Sequence, residues 1–327
     1  MLKKAFLLIG TLVLTAGLST AKAQRKEFVW GINGHPLTQR DYNDNLDQQI
    51  AALTDLGVKS YRFDVLLDAD GKAKKEGAFL QLLARLKEKN IAPLPALMQS
   101  GLKDTAVSGV YYKGFRQGKN FGDKYGSLLS VVEINNEGDN KIRYRGDKNG
   151  KHMEYDTMKA SRFINGIKGF IDGLKAAKPG ILVTLSVSYT HFYYLQLLKE
   201  YNVNYDIIGC HWYSNMGDIS HQKQPYADVL TAITTRFNKP IWITEFNYFR
   251  GTTRADLATQ NDYITRNIMK LRQQGIIKGF FVYELFDQPA LKQRYPDEAC
   301  YGLLSKDAQG NYQKKDAYTG FKEAITK

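Results

Sequence analysis

Eight short apolar runs, each followed by a segment of helical character, set the tightest limit on how this chain can fold. The runs are Phe28–Ile32, Val58–Val65, Ile91–Met98, Leu128–Asn136, Ile181–Val187, Asp206–Trp212, Ile241–Glu245 and Ile277–Glu284. Asp41–Leu56 carries Leu46, Ile50, Leu53 and Leu56 at helical spacing and stops at Gly57, and Gly77–Asn90 repeats Leu80, Leu83 and Leu86 among charges. Further helices are expected at Phe115–Tyr125, Asp156–Ala177, Phe192–Tyr201, Tyr226–Phe237, Ala255–Gln274 and Asp316–Thr326. Loops are expected at Gln99–Lys113, Gly138–His152 and Leu285–Cys300. Alternation of this kind implies a parallel sheet with its helices outside, and eight units make a single (β/α)8 TIM barrel. The alternative is an open doubly wound sheet. That fold would need a Gly-rich phosphate turn after the first run, and Gly31-Ile-Asn-Gly34 lacks the spacing.

The first 23 residues stand apart from this pattern. Lys3 and Lys4 precede an apolar run at Ala5–Leu14, and Ala21-Lys22-Ala23 before Gln24 has the form of a cleavage site. Residues 1–23 therefore read as a secretory signal peptide, and residues 24–327 as one catalytic domain that is secreted or periplasmic. The run is too short for a bilayer anchor, so no membrane anchor is expected. Removing the segment takes three lysines and no acid, which lowers the net charge from +13 to +10. The positive charge is spread out rather than clustered. It suits a solvated surface or attraction to an acidic polymer, and export without a recognition motif excludes nucleic acid. Cys210 and Cys300 are the only cysteines and carry no framework pattern, so their pairing stays open. A monomer is expected.

Chemistry concentrates at the ends of the runs. Val131–Asp139 (VVEINNEGD) places Glu133, Asn135 and Glu137 on one strand face if the run stays extended. Glu133 lies within apolar sequence and needs a partner, because an unpaired buried carboxylate is expensive. Glu137 stands where strand gives way to turn, and Glu245 ends a similar run, Pro240–Asn247. Two glutamates at the ends of two strands are the working pair of a glycosidase. A barrel gathers strand ends on one rim, which brings Asn33, His35, Arg62, Asn136, His211, Trp212, Tyr213, Tyr283 and Glu284 to the same place.

These residues resemble clan A of the glycoside hydrolases, in the branches of the β-xylosidases, iduronidases and cellulases. Glu133-Ile-Asn-Asn136-Glu137 is similar to the clan's E-x-x-N-E acid/base motif, and Ile243-Thr244-Glu245-Phe246 to its nucleophile motif. His211-Trp-Tyr213 resembles the strand-six pair and Arg62 the strand-two arginine; the stretch from Tyr301 to Tyr318 resembles how such barrels end. The resemblance implies Glu137 as acid/base and Glu245 as nucleophile of a double displacement that retains configuration. Arg62 would favour the ionised form of Glu245 by Coulomb attraction. Tyr213 would donate to the nucleophile, His211 would orient the pocket, and Asn136 would hold the sugar 2-hydroxyl. Two departures stand out: Gly138 replaces a common Pro, and Tyr283 replaces the Trp that floors the sugar subsite. Trp212, Tyr111, Tyr112, Tyr193 and Phe249 are candidate stacking aromatics.

The expected activity is hydrolysis of β-glycosidic bonds in a polysaccharide or oligosaccharide, including an acidic one, with no cofactor and no metal. One competing function is a carbohydrate-binding barrel without catalysis. Another is a metal-dependent barrel hydrolase, for which only His35, His191 and His211 are candidate histidine ligands among five histidines.

Overall fold

The computed structural model describes residues 28–103, 105–144, 155–221 and 227–326. The expected signal peptide lies outside them, as do residues 145–152 of the expected loop and the first residue of the helix expected at Tyr226. Eight parallel strands close into a barrel in sequence order: β1 (Val29–Gly34), β2 (Ser60–Leu66), β3 (Ala92–Met98), β4 (Val131–Ile134), β5 (Leu182–Ser188), β6 (Ile207–Tyr213), β7 (Ile241–Asn247) and β8 (Ile277–Val282). Ladder pairs from Val29↔Gly279 to Ile32↔Val282 join β8 back to β1. The fold is the single (β/α)8 barrel that the alternation predicts.

Helices α1 (Arg40–Asn43), α2 (Leu46–Leu56), α3 (Glu76–Glu88), α4 (Val107–Tyr125), α5 (Gly138–Ile142), α6 (Thr157–Ala177), α7 (Phe192–Glu200), α8 (Val229–Phe237), α9 (Leu257–Gln274) and α10 (Asp316–Thr326) cover the outside. Local chemistry sets several ends. Asp156, Asp228 and Asp256 each accept a backbone N–H three residues on, capping α6, α8 and α9. α2 stops where Gly57 takes φ 77° and returns its N–H to Leu53 and Thr54. A short hairpin, β9 (Leu304–Lys306) with β10 (Tyr312–Lys314), precedes α10.

Four expectations are corrected. The segment Asp41–Leu56 is two helices, broken at residues 44–45. α4 begins at Val107, inside the expected Gln99–Lys113 loop, and α5 begins the expected 138–152 loop. The fourth strand is shorter than Leu128–Asn136, because Asn135 and Glu137 take left-handed φ of 57° and 45°. Pro93 and Pro95 sit within β3 without breaking the barrel. β3 pairs with β4 only from Ala96 onward, so the missing proline N–H groups are not needed on that side.

The barrel interior is layered. Leu94, Val131, Ile207, Trp242 and Phe281 fill its lower part as one apolar cluster. Gly31 leaves room for the Phe281 ring, which a Cβ there would meet at 2.2 Å. Above this plug the inward positions turn polar.

Candidate active site

The nucleophile position of the motif owes its direction to an irregularity in β7. Cys210 pairs with Ile243, yet His211 pairs with Glu245, so Thr244 is an extra residue in the ladder. Strict alternation from the inward Trp242 would send Glu245 outward; the extra residue resets the phase and aims it into the barrel. There its Oε1 accepts from Arg62 at 2.8 Å and its Oε2 from Tyr213 Oη at 2.7 Å.

Arg62 sits at the centre of the polar layer, 4 % exposed. Its Nε and one terminal nitrogen hold Glu133 bidentately at 2.8 and 2.7 Å. The remaining donors reach Asn33 at 2.7 Å, Glu245 at 2.8 Å and Asn136 at 2.8 Å. All five guanidinium donors are thereby used. Glu133 is completely buried, and this fork is the partner its sequence position demands.

The two left-handed residues after β4 divide the N-N-E motif. Asn135 turns aside and exchanges hydrogen bonds with Gln99. The expectation that Glu133, Asn135 and Glu137 share a face is therefore corrected: Asn136 and Glu137 enter the barrel mouth instead. The Glu137 N–H donates to Ser186 Oγ at 3.0 Å, fixing the turn. Gly138 follows where a Cβ would meet Tyr194 Oη at 2.5 Å, so no side chain fits there.

His211 lies between the two glutamates, fully buried, with Nδ1 3.0 Å from Glu137 Oε1 and 3.4 Å from Glu245 Oε2. Burial pushes its pKa down, but the carboxylates of Glu245 and Glu137 outweigh burial and the opposing charge of Arg62, and raise it. Burial pushes the Glu137 carboxyl up. The hydrogen bond and charge of His211, with Asn140 and Arg62, overcome that and hold it at about 2. Each charge thus favours the other across this hydrogen bond. Carboxylate oxygens of Glu137 and Glu245 approach within 4.8 Å.

A cavity of about 360 Å³ opens above these groups, lined by Arg62, Asn136, Glu137, Tyr213, Glu245 and Tyr283 together with His35. Those seven sequence-predicted residues meet in one place. Three predicted placements need correction. Trp212 is 1 % exposed, because alternation on β6 sends it outward, where its indole donates to Gly217 O at 2.7 Å. Asn33 lies beneath the cavity and donates to Thr244 O and Val282 O, so it ties strands together instead of meeting substrate. His211 is buried behind the two glutamates and acts through them. Of the candidate stacking aromatics, Phe249 lines the cavity, whereas Tyr111 bonds Asp172 between helices and Tyr193 packs on Tyr155.

The sequence reading overlooked Asp64, Glu298 and Tyr301, which also line the cavity. Asp64 follows Arg62 by two residues, a strand spacing that points both the same way. It bonds His35 Nδ1 at 2.9 Å, while His35 Nε2 meets Tyr283 Oη at 3.2 Å. Tyr213, Tyr283 and Tyr301 lie edge-on or tilted to one another at 5.5–6.3 Å and form an aromatic wall. Glu284 is not at the rim; it is buried and bonded to Tyr42 and Gln288. Cys210 and Cys300 are unpaired.

Glu137, His211 and Glu245 come close enough to hold a cation. Their atoms are nevertheless committed to one another, to Tyr213 and to Arg62, whose fixed charge 2.8 Å from Glu245 opposes a dication.

The structure is thus a closed eight-stranded barrel with glutamates at the ends of β4 and β7 over a buried arginine. The family model described as the glycosyl hydrolase catalytic core matches residues 158–307, which include Glu245 and exclude Glu137. No curated protein sequence matches the chain. Among solved structures, a β-glucosidase from Thermotoga maritima in complex with deoxynojirimycin superposes with TM-score 0.67 at 14% identity, over 91% of this chain and 97% of that one. The exo-β-1,4-mannosidase Op5Man5 from Opitutaceae bacterium strain TAV5 gives 0.65 at 17%, over 92% and 59%. The virulence factor SghA from Agrobacterium tumefaciens gives 0.61 at 13%, over 92% and 97%. No described helix is long and apolar enough to cross a membrane.

Proposed function

We propose that this protein is a secreted, retaining glycosidase that cleaves β-glycosidic bonds in an oligosaccharide or polysaccharide. The observation that carries the reading is the approach of Glu137 and Glu245 to within 4.8 Å across one cavity. Retaining enzymes hold their carboxyls about 5–5.5 Å apart, whereas inverting ones need room for a water. Glu245 is equipped as the nucleophile, with Arg62 and Tyr213 each fixing one oxygen. Glu137 is the acid/base: it gives a proton to the glycosidic oxygen and then, as the carboxylate, activates the incoming water, with His211 hydrogen-bonded to it at 3.0 Å. The β configuration is supported by the β-glucosidase and β-mannosidase neighbours. Export is supported by the basic and apolar pattern of residues 1–23, and amino-terminal sequencing of the exported protein tests it.

The two glutamates are separated by azide rescue on an aryl β-glycoside. Glu137→Ala should lose roughly 10²–10⁴ in rate on substrates with poor leaving groups. It should still form the glycosyl-enzyme from an aryl glycoside, and azide should then release the β-glycosyl azide. Glu245→Ala lacks the nucleophile, so azide should attack directly and give the α-anomer. NMR of the products decides. β-Azide from both variants, or the inverse pattern, would overturn the assignment. A wild type that binds glycans but turns over none is instead the carbohydrate-binding barrel.

A further inference from the structure

The catalytic cavity adjoins a second cleft of about 760 Å³, the two sharing the lining residues Tyr283 and Glu298. Arg40, Arg294 and Tyr295 also line this cleft. Both arginines are exposed, and among the described residues neither forms an ion pair. Arg294 stacks on Tyr295 with its guanidinium carbon 5.2 Å from the ring centroid, which orients the planar fork without using its donors. Asp41, next to Arg40, accepts the Ala290 N–H at 3.0 Å and so ties α1 to the 289–291 turn that leads to Arg294. Two unspent guanidinium groups beside a half-exposed tyrosine ring match an anionic, ring-shaped ligand: Arg forks pair with carboxylate or sulfate, and the ring supports a sugar face.

The catalytic cavity itself has the opposite character. Asp64, Glu137 and Glu245 line it and not the second cleft, Glu298 stands between the two, and its one arginine is fully committed to its neighbours. Among the described residues, then, an anion is favoured in the second cleft and disfavoured at the scissile sugar. Position in the barrel gives the direction of the chain. Glu137 ends β4 and protonates the leaving group, so the leaving group lies on that side; the second cleft opens beside β8 and β1, diametrically opposite. The cleft therefore takes the glycone.

We infer that Arg40, Arg294 and Tyr295 form a distal glycone subsite for a sugar bearing a carboxylate or sulfate, linked to an uncharged sugar at the cleavage point. This rests on the glycosidase reading for its orientation, while the anion site stands on its own geometry. It also implies attack within a glycan chain rather than removal of single terminal sugars.

The test is affinity electrophoresis of the intact protein through gels containing glucuronoxylan, κ-carrageenan or a neutral β-glucan, together with hydrolysis of fragments of each and of an aryl monoglycoside. The Arg40→Gln/Arg294→Gln variant is compared with a Lys87→Gln/Lys89→Gln control of equal charge on α3. Loss of about tenfold or more in retention by an anionic gel, confined to the arginine variant, supports the subsite. Which gel responds identifies carboxylate or sulfate. The corresponding fragment should show a raised KM with aryl monoglycoside turnover unchanged. Equal retention of both variants, or retention by the neutral glucan alone, would overturn the subsite. Absence of turnover on every glycoside would overturn the glycosidase reading and leave the retention result intact.

Discussion

Arg62 has no donor to spare, so no substitution there acts on catalysis alone. Arg62→Met strips Glu133 of its only fork, and breaking a buried pair while leaving one charge behind costs roughly 3–5 kcal/mol. The variant should melt well below wild type and lose activity. Arg62→Met/Glu133→Met removes both charges and should recover much of the stability while staying inactive, because Glu245 still lacks its support. Calorimetry with an aryl glycoside assay checks both arms; a single variant that melts like wild type would mean that Glu133 has another partner. Both halves of this pair were legible in sequence as anomalies, a carboxylate and an arginine each interrupting an apolar run. Their pairing follows from the barrel, which aligns β2 and β4 through β3. The direction of Glu245 was not legible, since the extra residue at Thr244 is defined only by pairing with β6. Trp212 read as a rim residue, although strand alternation alone sends it outward.

Among the described helices, α4 and α6 come near enough for backbone to meet backbone. Gly114, Gly118 and Gly122 on α4 face Gly166, Gly169 and Gly173 on α6. A Cβ at Gly118 would lie 1.9 Å from Phe170 O, and one at Gly173 2.0 Å from Phe115 O. Gly118→Ala gains up to about 1 kcal/mol of helix propensity. Forcing the backbones apart costs about 1–3 kcal/mol or more, so the net effect should be a lower Tm. Gly77→Ala in α3 meets nothing within 4 Å and should raise Tm. A Gly118→Ala protein melting at or above wild type would show that the helices can separate at little cost. The start of α4 was missed for a related reason. Gly109, Tyr111 and Tyr112 are poor helix formers, so Val107–Lys113 read as loop. The four-residue spacing of Gly114, Gly118 and Gly122 was the available signal, and its meaning depends on a partner helix the sequence does not reveal. α5 was hidden differently: five residues carry too little periodicity to distinguish a helical turn from a loop.

The barrel as a whole closes where β8 returns to β1, and a chain of titratable groups spans that seam. His35 follows β1 and bonds Asp64 on β2 at 2.9 Å; its other nitrogen faces Tyr283 and lies 3.5 Å from Glu284. Burial pushes the His35 imidazole down, but the hydrogen bond and charge of Asp64, helped by Glu284 and Glu245, carry it up to about 9. A histidine raised in the folded state contributes stability that is complete below its unfolded value of 6.5 and disappears as pH climbs through 9. Burial likewise raises Glu284 to about 7, against His35, Gln288 and Tyr42, so the native state holds that proton more tightly than the unfolded chain. Its contribution is present below 4.5 and lost as pH rises through 7, the same sign as His35. Asp64, held below the usual carboxylate range despite burial by His35, adds stability that is lost on acidification instead. Tm should therefore be highest in mildly acidic solution and fall steadily from about pH 6.5 to 9. His35→Asn should lower Tm at pH 6 and reduce the decline between 6.5 and 9, because one of the two raised histidines, the other being His211, no longer titrates. Melts followed by circular dichroism at fixed ionic strength, in wild type and variant, test the slope rather than the absolute Tm. A wild-type Tm that stays level across that window, or a variant that keeps the full decline, would mean that the seam is not what makes the barrel alkali-sensitive.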